Sequence, residues 1–210
     1  MFDNVANTEY MLNVKERIER LKKVHYIVAI ILFACTFGFC WWYSSNLSNK
    51  LELTKISLSH FGIQHEIGFF WNASLFVIGI TLFIEAILNI NKYMPKSWLL
   101  YLFIGSVICL LLTASVDMRH RIHFYFAYTY FIGYTSSIFL FGFLLMKSDL
   151  RMGITSIVIS IASVICPLAV LMWIHSFALP ELTHTLFVFT WVSITKFDTN
   201  YRNFLKRFGL

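Results

Sequence analysis

Apolar runs separated by short polar or charged breaks fill most of the chain. Six stand out, approximately His25 to Tyr43, Ile67 to Ile90, Ser97 to Ser115, Phe124 to Met146, Met152 to Ile174 and Leu182 to Thr195. The breaks include Asn91-Lys92 and the segment from Lys147 to Arg151. A spanning helix needs roughly 20 apolar residues to cross about 30 Å of hydrocarbon, since its backbone polar groups must all be satisfied within the segment. The pattern predicts an all-α fold, a polytopic membrane bundle of six transmembrane helices. The sixth run is the shortest. Three parts follow: an arm over 1–24, a transmembrane domain over 25–196 and a tail over 197–210.

Composition strengthens this reading. The chain has 210 residues, 58% of them hydrophobic, and a mean hydropathy of +0.69, outside the usual range of soluble domains. Six spans leave no room for a soluble catalytic domain, so function is expected in or beside the bilayer. The polar, charged first 24 residues are not the short basic region of a cleavable signal, and the first run is read as a retained helix. Cys35, Cys40, Cys109 and Cys166 all fall inside runs, with neither a disulfide framework nor metal-knuckle spacing.

Charge supplies the orientation. Short loops rich in Lys and Arg stay cytoplasmic. On one side lie Lys15, Arg17, Arg20, Lys22 and Lys23 of the arm, Lys92, Lys96, Lys147 and Arg151 of the even loops, and Lys196, Arg202, Lys206 and Arg207 at the tail. The other side has only Lys50, Lys55, Arg119 and Arg121. Thirteen against four predicts that both termini are cytoplasmic. Trp41, Trp42, Tyr43, Trp71 and Trp173 then mark the outer interface as an aromatic belt. In the arm, Val14, Ile18 and Leu21 recur at helical spacing among basic residues, as do Tyr201, Phe204, Leu205 and Phe208 in the tail. Such segments suit the surface of an anionic leaflet or simple anchoring of helix ends.

With this orientation six of seven histidines fall on the outer face: His60, His65, His120, His123, His175 and His184. The densest stretch is Asp117-Met-Arg-His120-Arg-Ile-His123. If the fourth helix starts early enough to include it, Asp117, His120 and His123 share adjoining parts of one face. Three readings are open. The histidines can bond loop carbonyls at headgroup level. Alternatively His120, His123 and His184 can hold zinc, which in a catalytic site takes three protein ligands and one open position. Or Ser59 is a nucleophile with His123 as its base and Asp117 orienting the imidazole. The spacing includes no HExxH motif.

Glu85 lies well within the second run. An intramembrane carboxylate is costly and by default functional; Asn89, Lys92, Lys147 and Arg151 are its expected partners. Ser156, Ser160 and Ser163 form a small-residue face on the fifth run, and Pro167 is expected to bend that helix in its outer half.

Three stretches together resemble one family. Ile56-Ser57-Leu58-Ser59-His60-Phe61-Gly62 is similar to a loop that follows the first helix, Asn72 to Gly79 to the opening of the second, and Asp117, His123 and Ala127 to a third-loop signature. The family is the domain of unknown function numbered 998, six-helix membrane proteins grouped with the Frag and DRAM type. The resemblance implies a fold and a polar outer face formed by Ser59, Gly62, Asn72, Asp117 and His123; it implies no chemistry. His60 and Glu85 complete the candidate positions.

The functional expectation is a multi-pass protein of the cell or inner membrane, or an endomembrane, that binds or organises lipid or serves as a subunit of a membrane assembly. The alternative is a membrane-embedded, zinc-dependent hydrolase or lipid-modifying enzyme. Membrane lipids and other membrane-protein subunits are the expected partners, and nucleic acid is not.

Overall fold

The structure, a computed structural model, describes residues 2–46, 57–64, 66–88, 97–174 and 178–197. Among the described residues there are six helices, in chain order α1 (Phe2–Asn46), α2 (Gly68–Leu88), α3 (Ser97–Ser115), α4 (Arg121–Leu145), α5 (Leu150–Ile174) and α6 (Ala178–Phe197), with a 3-10 turn (Leu58–Ile63) between α1 and α2. Among the described residues there is no strand. Among them, five segments are long and apolar enough to cross a membrane: Val24–Asn46, Gly68–Ile87, Trp98–Ser115, Arg121–Leu145 and Leu150–Ile174. The protein is therefore an all-α bundle with the make-up of a multi-pass membrane protein.

Burial is inverted relative to a water-soluble helix. On α5 the buried positions are Met152, Gly153, Ser156, Ile159, Ser160, Ser163 and Pro167. Ile154, Val158, Ile161, Ile165 and Leu168 of the same helix are exposed. Small polar residues at the interface let backbones approach closely, and the large apolar ones are left for lipid contact. The clearest close approach joins α4 to α5. A Cβ on Gly142 would lie 2.8 Å from the Gly153 carbonyl oxygen, and one on Gly153 would lie 2.8 Å from the Gly142 carbonyl oxygen. Neither position can accept a larger residue without moving backbone.

Helix α6, outside the five apolar segments, reaches the other helices through its side chains. Trp191 of α6 packs on Phe103 of α3 and on Tyr134 and Phe141 of α4, and its indole N–H donates to Ser156 Oγ of α5 at 2.9 Å. Phe189 meets Phe33 of α1 edge-on, and its carbonyl accepts the Tyr26 hydroxyl at 2.8 Å. At the far end Lys196 pairs with Glu85 of α2, both nearly buried. A helix whose polar positions find partners on its neighbours has no need of a fully apolar surface. This explains why α6 falls outside the five apolar segments.

Three sequence expectations need correction. Glu85 takes its cation from Lys196, brought from the end of α6, instead of Lys147 or Arg151; Asn89 and Lys92 lie outside the described residues. Trp71 is no belt residue: it is 1% exposed and packs against Phe33 and Phe61. Trp41, Trp42 and Trp173 are exposed. Helix α4 begins at Arg121 with His120 as its N-cap, so Asp117 precedes it and shares no helical face with His123. Helix α5 runs on through Pro167 to Ile174. The side chains of the amino-terminal arm before Leu21, the tail beyond Phe197, His65 and His175 lie outside the described residues.

Candidate functional site

The 3-10 turn, the connection from α3 to α4 and the head of α6 meet at one end of the bundle. Phe61, 1% exposed, anchors it against Phe37 and Trp71. The Leu58 N–H donates to Glu181 Oε2 of α6 at 2.6 Å. Asn72 Nδ2 donates to the Gly62 carbonyl at 3.3 Å, and a Cβ on Gly62 would come within 2.6 Å of Asn72 Oδ1. Asn72 thus fastens the turn to α2. Within the turn, the Ser57 N–H donates to His60 Nδ1 at 3.2 Å. A nitrogen that accepts carries no proton, so the neutral His60 ring has its N–H at Nε2.

His123, on the first turn of α4 and 5% exposed, is held at both nitrogens. Its Nδ1 lies 2.8 Å from the Val116 carbonyl and its Nε2 lies 3.0 Å from Ser59 Oγ. A carbonyl only accepts, so Nδ1 carries the proton. In the neutral ring the Nε2 lone pair then accepts from the Ser59 hydroxyl. The expected Ser59 and His123 contact is present at hydrogen-bond distance, but the orienting group is the Val116 carbonyl. Asp117 instead accepts the Arg119 backbone N–H at 2.9 Å and pairs with the Arg119 guanidinium. This hydrogen bonding pulls the half-buried Asp117 carboxyl down to about 2, from an ordinary value near 3.8.

Ser59 and His123 open onto a cavity of about 580 Å³. Its polar wall is made by Ser57, Ser59, His60, His123, Glu181 and His184, and its length by α4 and α5. From Phe124 to Thr135 the α4 wall covers about 16 Å at the helical rise. Phe124, Tyr128, Ile132, Val164 and Leu168 line the cavity and are also exposed on the outside of the bundle, Ile132 by 68%. The cavity is thus a cleft that opens sideways between α4 and α5, whose tight glycine contact lies at their opposite ends. Pro167 lines it.

At the inner end of the cleft His184, 5% exposed, has Nε2 at 2.8 Å from Thr135 Oγ1. Phe131 meets its ring edge-on at 4.6 Å. The Ser160 hydroxyl donates to the Thr135 carbonyl at 3.0 Å, and that of Ser163 to the Ser160 carbonyl at 2.8 Å. The small-residue face of α5 therefore also carries a polar track into the bundle.

The zinc trio does not assemble. His120 is exposed at the α4 cap, both nitrogens of His123 are engaged, and His184 faces Thr135. Among the described residues no three His, Cys, Asp or Glu side chains converge as a metal-binding group. Glu181 and Thr135 escaped the sequence reading. Glu181 follows Pro180 at the head of α6, a position that reads as an ordinary helix start, and Thr135 is one hydroxyl within a long apolar run. Comparison with known protein families, curated proteins and solved structures finds no match for this chain.

Proposed function

We propose that this protein is a six-span membrane protein with cytoplasmic ends that binds one lipid from the outer leaflet, its acyl chain in the α4/α5 cleft and its headgroup at the 3-10 turn. The observation that carries this reading is the make-up of the cleft. A cavity with a long apolar wall, open sideways through exposed side chains, with its densest polar groups at the 3-10 turn and a few hydroxyls and His184 deeper in, can take both parts of a lipid. Convergent polar groups in a mainly apolar pocket are the general form of a ligand site. The donors and acceptors at the turn are the Ser59 hydroxyl, His60, His123 and Glu181.

Two further observations support the six-span part. Helix α6 meets the 3-10 turn through Glu181 at one end and Glu85 of α2 through Lys196 at the other, so it runs the same distance through the bundle as α2. The partners that Glu181, His184 and Lys196 find on other elements account for its lower hydropathy. The excess of Lys and Arg on the side of both termini supports the orientation. Kinship with the six-helix family numbered 998 belongs to the same reading, carried by Ser59, Asn72, Asp117 and His123.

A photoactivatable phospholipid with a diazirine on its acyl chain tests the proposal in reconstituted bilayers. Cross-linked peptides are expected to concentrate on Phe124 to Ile132 and Val164 to Leu171. Labelling spread evenly over lipid-facing positions such as Ile27, Ile31 and Val158 contradicts a cleft site.

A further inference from the structure

We infer that Ser59 is an acyl-accepting nucleophile, activated by His123, for a carboxylic ester of the lipid held in the cleft. This rests on the lipid-binding reading above and deepens it. A hydrogen bond that merely ties a loop to a helix can have either proton arrangement. Here the Val116 carbonyl at 2.8 Å fixes the proton on His123 Nδ1, which leaves Nε2 as the acceptor facing the Ser59 hydroxyl at 3.0 Å. That is the arrangement a base needs to take a proton from a nucleophile, with a backbone carbonyl as the positioning group where a carboxylate often stands.

Two more observations point to chemistry at this pair. Ser59 borders the large cleft and also a second, smaller cavity that Glu181 and Tyr130 share, so its hydroxyl is at the cleft wall and not sealed in packing. His60 also lines the cleft, with its proton on Nε2, and brings an N–H donor to the wall that carries Ser59. A developing oxyanion requires such a donor.

The step balances within these groups and water. Ser59 Oγ forms a bond to the ester carbonyl carbon as its proton passes to His123 Nε2, and the carbonyl π electrons move onto oxygen. Collapse of that oxyanion breaks the bond to the alkoxy oxygen, which leaves as an alcohol with the proton from His123 Nε2. The acyl group stays on Ser59 Oγ. Water then adds to the acyl carbon, gives a proton to His123 Nε2 and displaces Ser59 Oγ, which takes that proton back as the fatty acid leaves. Nothing is oxidised or reduced.

The test treats the full-length protein in lipid nanodiscs with an alkyl fluorophosphonate and maps the adduct by peptide mass spectrometry. The expected result is a single adduct on Ser59, absent in Ser59→Ala and formed at least about 100-fold more slowly in His123→Gln. Thermal unfolding of the same samples distinguishes loss of the base from loss of the fold, and the wild-type adduct needs no variant at all. A wild-type protein that carries no adduct on Ser59 overturns the inference. So does a His123→Gln variant that stays folded and labels at the wild-type rate. The photoactivatable phospholipid run beside it separates the two readings. Cleft cross-links without a Ser59 adduct end the nucleophile and leave the lipid site. A Ser59 adduct with cross-links spread evenly over the bundle ends the cleft site and leaves the activated serine.

Discussion

At the scale of single residues, His123 ties three chain segments together. One imidazole joins the 3-10 turn through Ser59 to the end of α3 through the Val116 carbonyl. His123→Ala leaves a buried acceptor without its donor, a loss of about 1–3 kcal/mol. Thermal unfolding in detergent is expected to shift down accordingly, with the helical content unchanged below the transition. Asp117 has a different and separable role. Its carboxyl is lowered to about 2 by Arg119; a group lowered on folding adds stability above its ordinary value of 3.8 and loses it as pH falls toward 2. Asp117→Asn is therefore expected to flatten the pH dependence of unfolding in that window and nowhere above it. A sequence reader sees Asp117 and His123 six residues apart and pairs them. The structure separates them because α4 starts only at Arg121, and the Arg119 guanidinium is the nearer charge.

At the scale of elements, the bundle is set by how closely helices approach and by what α6 carries. The α4/α5 contact depends on Gly142 and Gly153. In Gly153→Ala the new methyl would meet the Gly142 carbonyl at 2.8 Å, and backbone cannot step aside as a flexible side chain can. A destabilisation of about 1–3 kcal/mol is expected, read from unfolding of the variant beside the wild type. The Lys196 and Glu85 pair fixes the opposite end of α6. Glu85→Gln or Lys196→Met alone removes one half of a nearly buried ion pair and is expected to cost about 3–5 kcal/mol, whereas the double variant recovers most of the loss. A double-mutant cycle on unfolding measures the difference. The apolar runs made five helices legible directly from length and hydropathy, because lipid-facing positions must be apolar whatever the packing. Helix α6 was harder to read, since its polar positions Glu181, His184 and Lys196 answer to partners on other helices. Lys196 stands 111 residues from Glu85, so no local spacing could reveal the pair.

At the scale of the whole molecule, the arrangement has two unlike ends. One carries the 3-10 turn, Ser59, His123 and Glu181 around the mouth of the cleft; the other carries the Lys196 and Glu85 pair and the tight α4/α5 hairpin. The orientation inferred from charge puts the cleft mouth outside. A cysteine in place of Arg121 is accordingly expected to react with an impermeant maleimide added from outside sealed cells, and labelling only after permeabilisation contradicts that orientation. The cleft itself was not legible in the sequence. Its wall is built from residues on α4, α5 and α6 whose spacing is indistinguishable from ordinary helix packing, and only the separation of α4 from α5 makes it a cavity. The central claim is that this cavity holds a lipid, and native mass spectrometry of the detergent-released protein tests it most directly. Wild-type protein is predicted to keep one lipid per chain, and Ala127→Trp, which fills the cleft between His123 and Phe131, is predicted to lose it while remaining folded. An unchanged lipid count in the folded variant would contradict the account.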